Sequence, residues 1–404
     1  MKTALITFRN VNAPYDGEAE KRLIWVFNKG GLQVDYVYTL STLDDLAFNK
    51  IFGDLAENVD NIVILAGGEV SFDIKEIICK KFNLQTEENE NAGKFINEYE
   101  KLSGQTAYAD YMVLPEGSTV IPNLNGFFQG YTLSAEGCTV TVLPDNPNSF
   151  ESMCINFVLP YFEQKYKTRY DNLTLKCFGV TDSVLQNTLA KAKQIAEDKI
   201  TFNVERKNSD VKVSLVYNNN TPRMLTDDAV RYIVTQLQGK IYAEEDCALE
   251  KRLFDLLNLH RLNLSVAESF TAGRVVSSVI KVPGASAVIN EGVVAYSNHA
   301  KHTRLGVNER TIKEYGAVSK ETAYEMATGL LRDDDTDIAI ATTGIAGPKS
   351  DDSQKPVGLC YIAVGDRDGV HIHKYVFKGD REQITETAKN ASLFLAIKHI
   401  KERM

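Results

Sequence analysis

No C-x-x-C pair occurs among the six cysteines (Cys79, Cys138, Cys154, Cys177, Cys247 and Cys360), so their spacing suits neither a zinc site nor a disulfide framework. Isolated cysteines of this kind are expected as small buried hydrophobes. No apolar run approaches the roughly 18 residues that cross a bilayer, which excludes a membrane-spanning reading. The opening MKTALITFRNVNAPYDG lacks a long apolar h-region and a small-residue cleavage site, and it reads as a first strand rather than a signal peptide. A cytoplasmic protein with no membrane partner is therefore expected. Basic residues are outnumbered, 45 against 54 acidic ones for a net charge of −9, so no basic face for a phosphate backbone is indicated and no nucleic-acid partner is expected. H-x-x-x-H is absent. His371 and His373 share one face of a strand, but without a third ligand at sensible spacing no metal is assigned to them.

What is present is an ordinary globular composition, 44% hydrophobic and 25% charged, spread over 404 residues. That length exceeds one comfortable hydrophobic core and predicts two or three domains. Over residues 1–165, β-rich ALITF, QVDYVYTL and NIVILAGG alternate with helical EAEKRLIWVFNKGG and VSFDIKEIICKKFN, the signature of a parallel sheet covered by helices on both faces. Gly67 and Gly68 end a buried-type strand, where a backbone can approach a ligand or simply turn. Residues 166–242 predict a small connecting α+β unit, with Asn208-Ser209-Asp210 as the turn of a hairpin. Residues 243–404 return to strand–helix alternation. The fold class is thus α/β, two three-layer α/β/α domains joined by a small α+β domain.

Three segments of the last domain could carry chemistry. Glu268-Ser269-Phe270-Thr271-Ala272-Gly273 joins a strand to a helix, where unpaired N–H groups and the helix dipole can hold a phosphate or an oxyanion. A serine or threonine there also serves as an ordinary N-cap. Tyr296-Ser297-Asn298-His299-Ala300-Lys301 follows the next strand; a lysine of lowered pKa can activate a serine, although a solvated polar loop has the same composition. The Tyr–Lys spacing is five rather than the four of Tyr-x-x-x-Lys dehydrogenases, and no G-x-G-x-x-G accompanies it, so that activity is rejected. Thr343-Gly344-Ile345-Ala346-Gly347-Pro348, with Lys355-Pro356-Val357-Gly358 beyond it, supplies glycines that suit either a plain turn or an anionic ligand. Three such loops after strands of one sheet weigh more than any one of them.

Together the segments LSVAESFTAG, VPGASAVINEGVVAYSNHAK, LGV, YGAVSKETAYEMATG, TTGIAGP and KPVG resemble the competence/damage-inducible CinA family and cover nearly all of 260–365. The resemblance implies a C-terminal nicotinamide mononucleotide amidohydrolase. Phe270, Ala272 and His299 depart from the family's A-E-S-C-T-G-G and Y-S-N-E-A-K, while Ser269, Thr271, Gly273, Tyr296 and Lys301 match. Upstream, PEGSTVIPNLNGFFQGYTL and LPDNPNSFESM resemble the family's molybdopterin-binding-like domain, and 166–242 stand where it carries a KH-like domain. In many relatives that first domain is a metal-dependent ADP-ribose pyrophosphatase. Here the family's G-D-E-L-L is replaced by Phe8-Arg9-Asn10-Val11-Asn12, and its G-G-L-G-P-T-x-D-D by GGEVSFDIK.

The resulting expectation is hydrolysis of nicotinamide mononucleotide to nicotinate mononucleotide and ammonia, without a cofactor. Ser269 is expected as nucleophile, Lys301 as base and Tyr296 as relay, with an oxyanion held by N–H groups around Thr271–Gly273. Glu268, Thr271, Gly273, Asn298, Thr343, Gly344, Gly347 and Arg381 are expected to line the nucleotide site. The family resemblance implies a homodimer. Two alternatives stand beside this reading: a divalent-metal pyrophosphatase in the N-terminal domain, and a catalytically silent nucleotide-binding regulator.

Overall fold

The computed structural model describes residues 2–10, 12, 17–67, 70–107, 109–167, 170–349 and 355–403; Gly68, singled out above, lies outside them. The chain is α/β with several sheets, and forms two compact units, residues 1–172 with 216–222 and residues 173–215 with 223–404.

In the first unit the elements run β1 (Thr3–Arg9), α1 (Glu18–Lys29), β2 (Tyr36–Ser41), α2 (Asp45–Asn58), β3 (Asn61–Ala66), α3 (Ile74–Phe82), β4 (Thr86–Glu88), α4 (Glu90–Ser103), β5 (Val113–Pro115), β6 (Thr119–Ile121), β7 (Gly130–Ala135), β8 (Cys138–Pro144), α5 (Pro147–Met153) and α6 (Leu159–Tyr166). The sheet order is β2-β1-β3-β8-β7-β6. Its first four strands are parallel, as the crossover helices require, but β7 pairs antiparallel with β8 and β6 antiparallel with β7. The sheet is therefore mixed rather than parallel throughout: β7 and β8 are joined by a two-residue turn, Glu136-Gly137, too short for a crossover. Alternate residues of β1 and β3 face opposite layers. Ile6 and Ile64 pack with Phe48, Phe52 and Ile78 of α2 and α3, while Leu5 and Val63 pack with Leu23, Phe27 and Phe150 of α1 and α5.

The second unit opens with β9 (Tyr170–Phe178), α7 (Asp182–Ile195), β10 (Thr201–Lys207), β11 (Asp210–Asn218), α8 (Arg223–Gln236) and β12 (Ile241–Ala243). Their four-stranded sheet has the order β10-β11-β9-β12. The expected hairpin forms, with Asn208 and Ser209 both at positive φ (47° and 62°), the backbone that a two-residue turn between twisted strands demands. It continues through α9 (Leu249–His260), β13 (Leu264–Glu268), α10 (Arg274–Ile280), β14 (Ile289–Val294), α11 (Asn298–Leu305), α12 (Glu309–Tyr315), α13 (Lys320–Leu330), β15 (Ile338–Gly344), β16 (Leu359–Asp366), β17 (Gly369–Val376) and α14 (Arg381–Arg403). The five-stranded sheet runs β14-β13-β15-β16-β17, the first three strands parallel, β16 antiparallel to β15 and β17 antiparallel to β16. The three parallel strands are neighbours, so their carboxyl ends, and the three loops singled out in the sequence, lie side by side.

Side-chain parity divides this sheet. Leu264, Val266, Ile338 and Ile340 face α9, α10 and α14. Ala267, Ala339, Ala341 and Ala363 face Ala323, Met326 and Ala327 of α13, small residues that let the helix sit close. All six cysteines are free and buried, and among the described residues no helix is long and apolar enough to cross a membrane.

Asp366 ends β16 and ties the β16–β17 turn to the last turn of α14. Its carboxylate accepts from the N–H of Asp368 (2.7 Å) and Gly369 (3.2 Å) and from Arg403 (2.6 Å), with His399 Nε2 at 2.9 Å. Burial alone would raise its pKa; the Asp368 amide, His399 and Arg403 outweigh burial and hold it below the ordinary carboxylate value. A depressed folded-state pKa contributes stability above the unfolded value and loses it as pH falls through the folded one. Replacing Asp366 by Ala should cost about 1–3 kcal/mol in urea unfolding at neutral pH. The difference from wild type should shrink as the pH falls below about 4.

Candidate active site

Parity along β13 also fixes the roles of two adjacent residues. Glu268 continues the face of Val266 toward α10, and Ser269 points the other way, toward α11. Glu268 is 1% exposed. Its carboxylate accepts from the N–H groups of Gly273 (3.0 Å), Val275 (3.1 Å) and Val276 (2.9 Å), so it caps the start of α10 from within. The expectation that Glu268 contacts substrate is thereby corrected: its side chain is enclosed in protein, and it occupies the anion seat that the helix would otherwise offer. The same bond engages the N–H of Gly273. The Ala272 N–H bonds Ser269 O at 3.3 Å. Neither is available for an oxyanion. Among the described residues, no acceptor meets the N–H of Phe270 or Thr271, which moves the candidate oxyanion donors to the two residues directly after Ser269.

On the opposite face stands Lys301. Ser297 caps α11, accepting from Ala300 N–H at 3.1 Å, and the first turn of that helix carries Lys301 inward until it is 1% exposed. Its Nζ lies 2.9 Å from Ser269 Oγ and donates to the carbonyl oxygens of Ala295 (2.9 Å) and Tyr296 (3.1 Å). Among the described residues no carboxylate joins this set. Burial lowers the lysine's pKa to about 8, which brings the neutral amine within reach of physiological pH. A neutral amine has two N–H bonds and one lone pair. With the two N–H bonds directed at the two carbonyls, the lone pair is left for the Ser269 hydroxyl.

The remaining expected residues are distributed as follows. Tyr296 is 66% exposed, and its carbonyl, not its phenol, meets Lys301. Asn298 is exposed in the first turn of α11. Thr271 Oγ1 meets Thr342 Oγ1 at 2.7 Å, both fully buried beneath the turn. Thr343 donates its hydroxyl to Ala317 O (2.6 Å), holding the loop between α12 and α13 rather than presenting itself to a ligand. Gly344 is required by close packing, since a Cβ there would stand 2.6 Å from Cys360 Cβ. Gly347 adopts φ 83° and accepts from Arg381 Nη1 (2.7 Å). The exposed Arg381 thus tethers the TGIAGP loop through one nitrogen. Lys355, from the K-P-V-G segment, donates to Val318 O (2.6 Å) and Tyr315 O (3.2 Å).

Two departures from the family pattern have structural accounts. Phe270 is buried in the core with Val275 and Ile340, so its bulk lies away from Ser269. Ala272 sits at φ 54°, a left-handed conformation that costs a residue with a Cβ about 1–2 kcal/mol and that glycine would adopt freely. Thr342 and the Ala295 carbonyl were not picked out from the sequence. The parity of β15 could have shown Thr342 facing the turn; a backbone carbonyl leaves no sequence signal.

The family model described as CinA C-terminal domain matches residues 246–400, which contain the whole constellation. A competence-damage inducible protein of Clostridium beijerinckii is 34% identical over 342 residues, 82% of this chain and 83% of its own. One from Caldicellulosiruptor saccharolyticus is 33% identical over 385 residues, 90% of each chain. The chain belongs to the CinA family. Among solved structures, a CinA-superfamily protein of Klebsiella pneumoniae is 29% identical with a TM-score of 0.37, the match covering 38% of this chain and 96% of that one.

Within this CinA-family site, removing the Glu268 carboxylate would strand three helix N–H groups in a buried place. Glu268→Ala should lower stability by about 2–4 kcal/mol in chemical denaturation. It should impair any Ser269 chemistry as well, whereas Glu268→Gln, which keeps one acceptor oxygen, should retain part of both.

Proposed function

We propose that the second unit hydrolyses the carboxamide of nicotinamide mononucleotide, giving nicotinate mononucleotide and ammonia. The observation that carries the reading is the contact of Lys301 Nζ with Ser269 Oγ at 2.9 Å, made by a buried lysine that has no carboxylate partner. Such a lysine serves a serine nucleophile as base without a histidine. The choice of substrate rests on the sequence resemblance.

Neutral Lys301 takes the Ser269 proton as Oγ bonds to the carboxamide carbon. The C=O electron pair moves onto oxygen, which the N–H groups of Phe270 and Thr271 face. Lys301 then returns the proton to the departing nitrogen, so the C–N bond breaks and ammonia leaves. Water attacks the acyl-serine ester with Lys301 taking its proton, and as the ester C–O bond breaks Lys301 hands that proton to Ser269 Oγ, freeing the acid, which ionises to the carboxylate. No redox step and no metal ion is needed for the atoms to balance. The exposed Arg381, held by one nitrogen, keeps others for the nucleotide's phosphate.

Ammonia release by the purified full-length protein tests this. Ser269→Ala and Lys301→Met should each lower kcat about 1000-fold or more while the chain still folds. Full activity in the Ser269 variant would remove the nucleophile from the scheme, and tight binding without turnover in wild type would make the protein a nucleotide-binding regulator. Because the active amine is the deprotonated form, kcat/KM should rise with pH and level off near the Lys301 value of about 8. A profile flat between pH 6 and 9 would exclude Lys301 as the base.

A further inference from the structure

A cavity of about 520 Å³ opens in the second unit, lined by residues of α8, β12, α9 and α14, a volume in the range of small-molecule sites. Arg252 of α9 and Lys401 of α14 both stand on its wall. Lys401 gives one N–H to Tyr242 O at 2.9 Å, and its other two meet no acceptor among the described residues. The Arg252 side chain makes no hydrogen bond or ion pair among the described residues. Its Nε is sealed from solvent, while Nη1 and Nη2, equally unpartnered, keep access to solvent. The outer edge of the guanidinium fork is thus the part that a ligand in the cavity can reach.

The charges on this wall do not cancel. Glu244 and Glu245 also line the cavity, but both are exposed, and neither forms an ion pair with Arg252 or Lys401. Burial and the Arg252 charge push the Lys401 pKa below its ordinary value, and Glu244 offsets them only in part. Of the two neighbouring charges Arg252 acts the more strongly, so the amine stands in a net positive field. Two like charges held together without a counter-ion repel, and an anion seated against both relieves that repulsion. A concave wall of one sign also draws such an anion in. Among the described residues, no group of three His, Cys, Asp or Glu could hold a metal ion, so an anion here meets the cations directly.

We propose that this cavity binds a phosphoryl dianion, free or carried on a small organic molecule, with two oxygens on the Arg252 fork and a third on Lys401. A carboxylate, with two oxygens and one charge, would satisfy the fork and leave the amine without a partner. The cavity shares no residue with the Ser269 site, and the proposal is independent of the function proposed for that site.

The test uses the full-length protein and limited acylation of its lysines by the N-hydroxysuccinimide ester of acetic acid, with each site followed by mass spectrometry. Lys401 is exposed and gives the local signal. Lys398, exposed and 3.5 Å from Glu402, is the internal control. Inorganic phosphate should protect Lys401 saturably and leave Lys398 unchanged, whereas sodium acetate or sodium chloride at equal ionic strength should protect neither. Ribose 5-phosphate acting at a lower concentration than phosphate would assign the group to a phosphomonoester, and equal potency would assign it to free phosphate. Arg252→Met should raise the phosphate concentration needed for half protection about tenfold. Its Tm in phosphate-free buffer should equal or exceed that of wild type, because the guanidinium removed had no partner. Glu244→Gln should lower the concentration needed about threefold, a readout that does not depend on how Arg252→Met folds. Absence of protection by both phosphates, equal protection by acetate or chloride, an unchanged requirement in either variant, or a lowered Tm in Arg252→Met would each overturn the proposal.

Discussion

A primary amine held out of water without a counter-charge is the constraint on which the second unit's site depends. Desolvation disfavours the ammonium form, so Lys301 becomes a usable base only while α11 keeps it enclosed. Everything adjacent serves that placement. Ser297 caps the helix, the carbonyls of Ala295 and Tyr296 orient the amine, and β13 delivers Ser269 to its lone pair. A carboxylate in the same place would raise the pKa and remove the base. It is significant, then, that the carboxylate next to Ser269 in sequence, Glu268, is turned to the opposite face of the sheet.

Glu268 and Ser269 show how a period of two separates chemistry from scaffolding. One residue supports the first turn of α10 from inside; the next meets Lys301 on the other face. Because the carboxylate occupies the helix N-terminus, a substrate phosphate must be held elsewhere, and any oxyanion must use the N–H groups immediately after the serine. Thr271 and Thr342 close the space beneath the turn. Thr343 and Lys355 fasten the loops around it, so two residues with the chemical look of ligand contacts are engaged with backbone carbonyls instead, while Arg381 spends one nitrogen on the Gly347 carbonyl.

The first unit follows a different logic. Its sheet is built for crossover helices on both faces, and Phe8 of β1 and Phe72 beyond β3 both pack on Phe48 of α2.

From the sequence alone, periodicity yielded the α/β class and most elements, the hairpin at Asn208-Ser209, and the three loops after strands of one sheet; motif order yielded the family. These are local or pattern properties, and near-neighbour physics determines them. Strand direction at the sheet edges was not legible, because a short connection between β-rich runs is read correctly only once pairing is known. Nor was the division of labour among the site residues. Ser269 and Lys301 are 32 positions apart, and only the folding of β13 and β14 side by side brings the amine to the hydroxyl and excludes water from it. Composition can place a glutamate, a tyrosine and a threonine near a serine. Which of their atoms face the reaction, and which face the core, is settled by side-chain parity and burial, and those exist only in the tertiary structure.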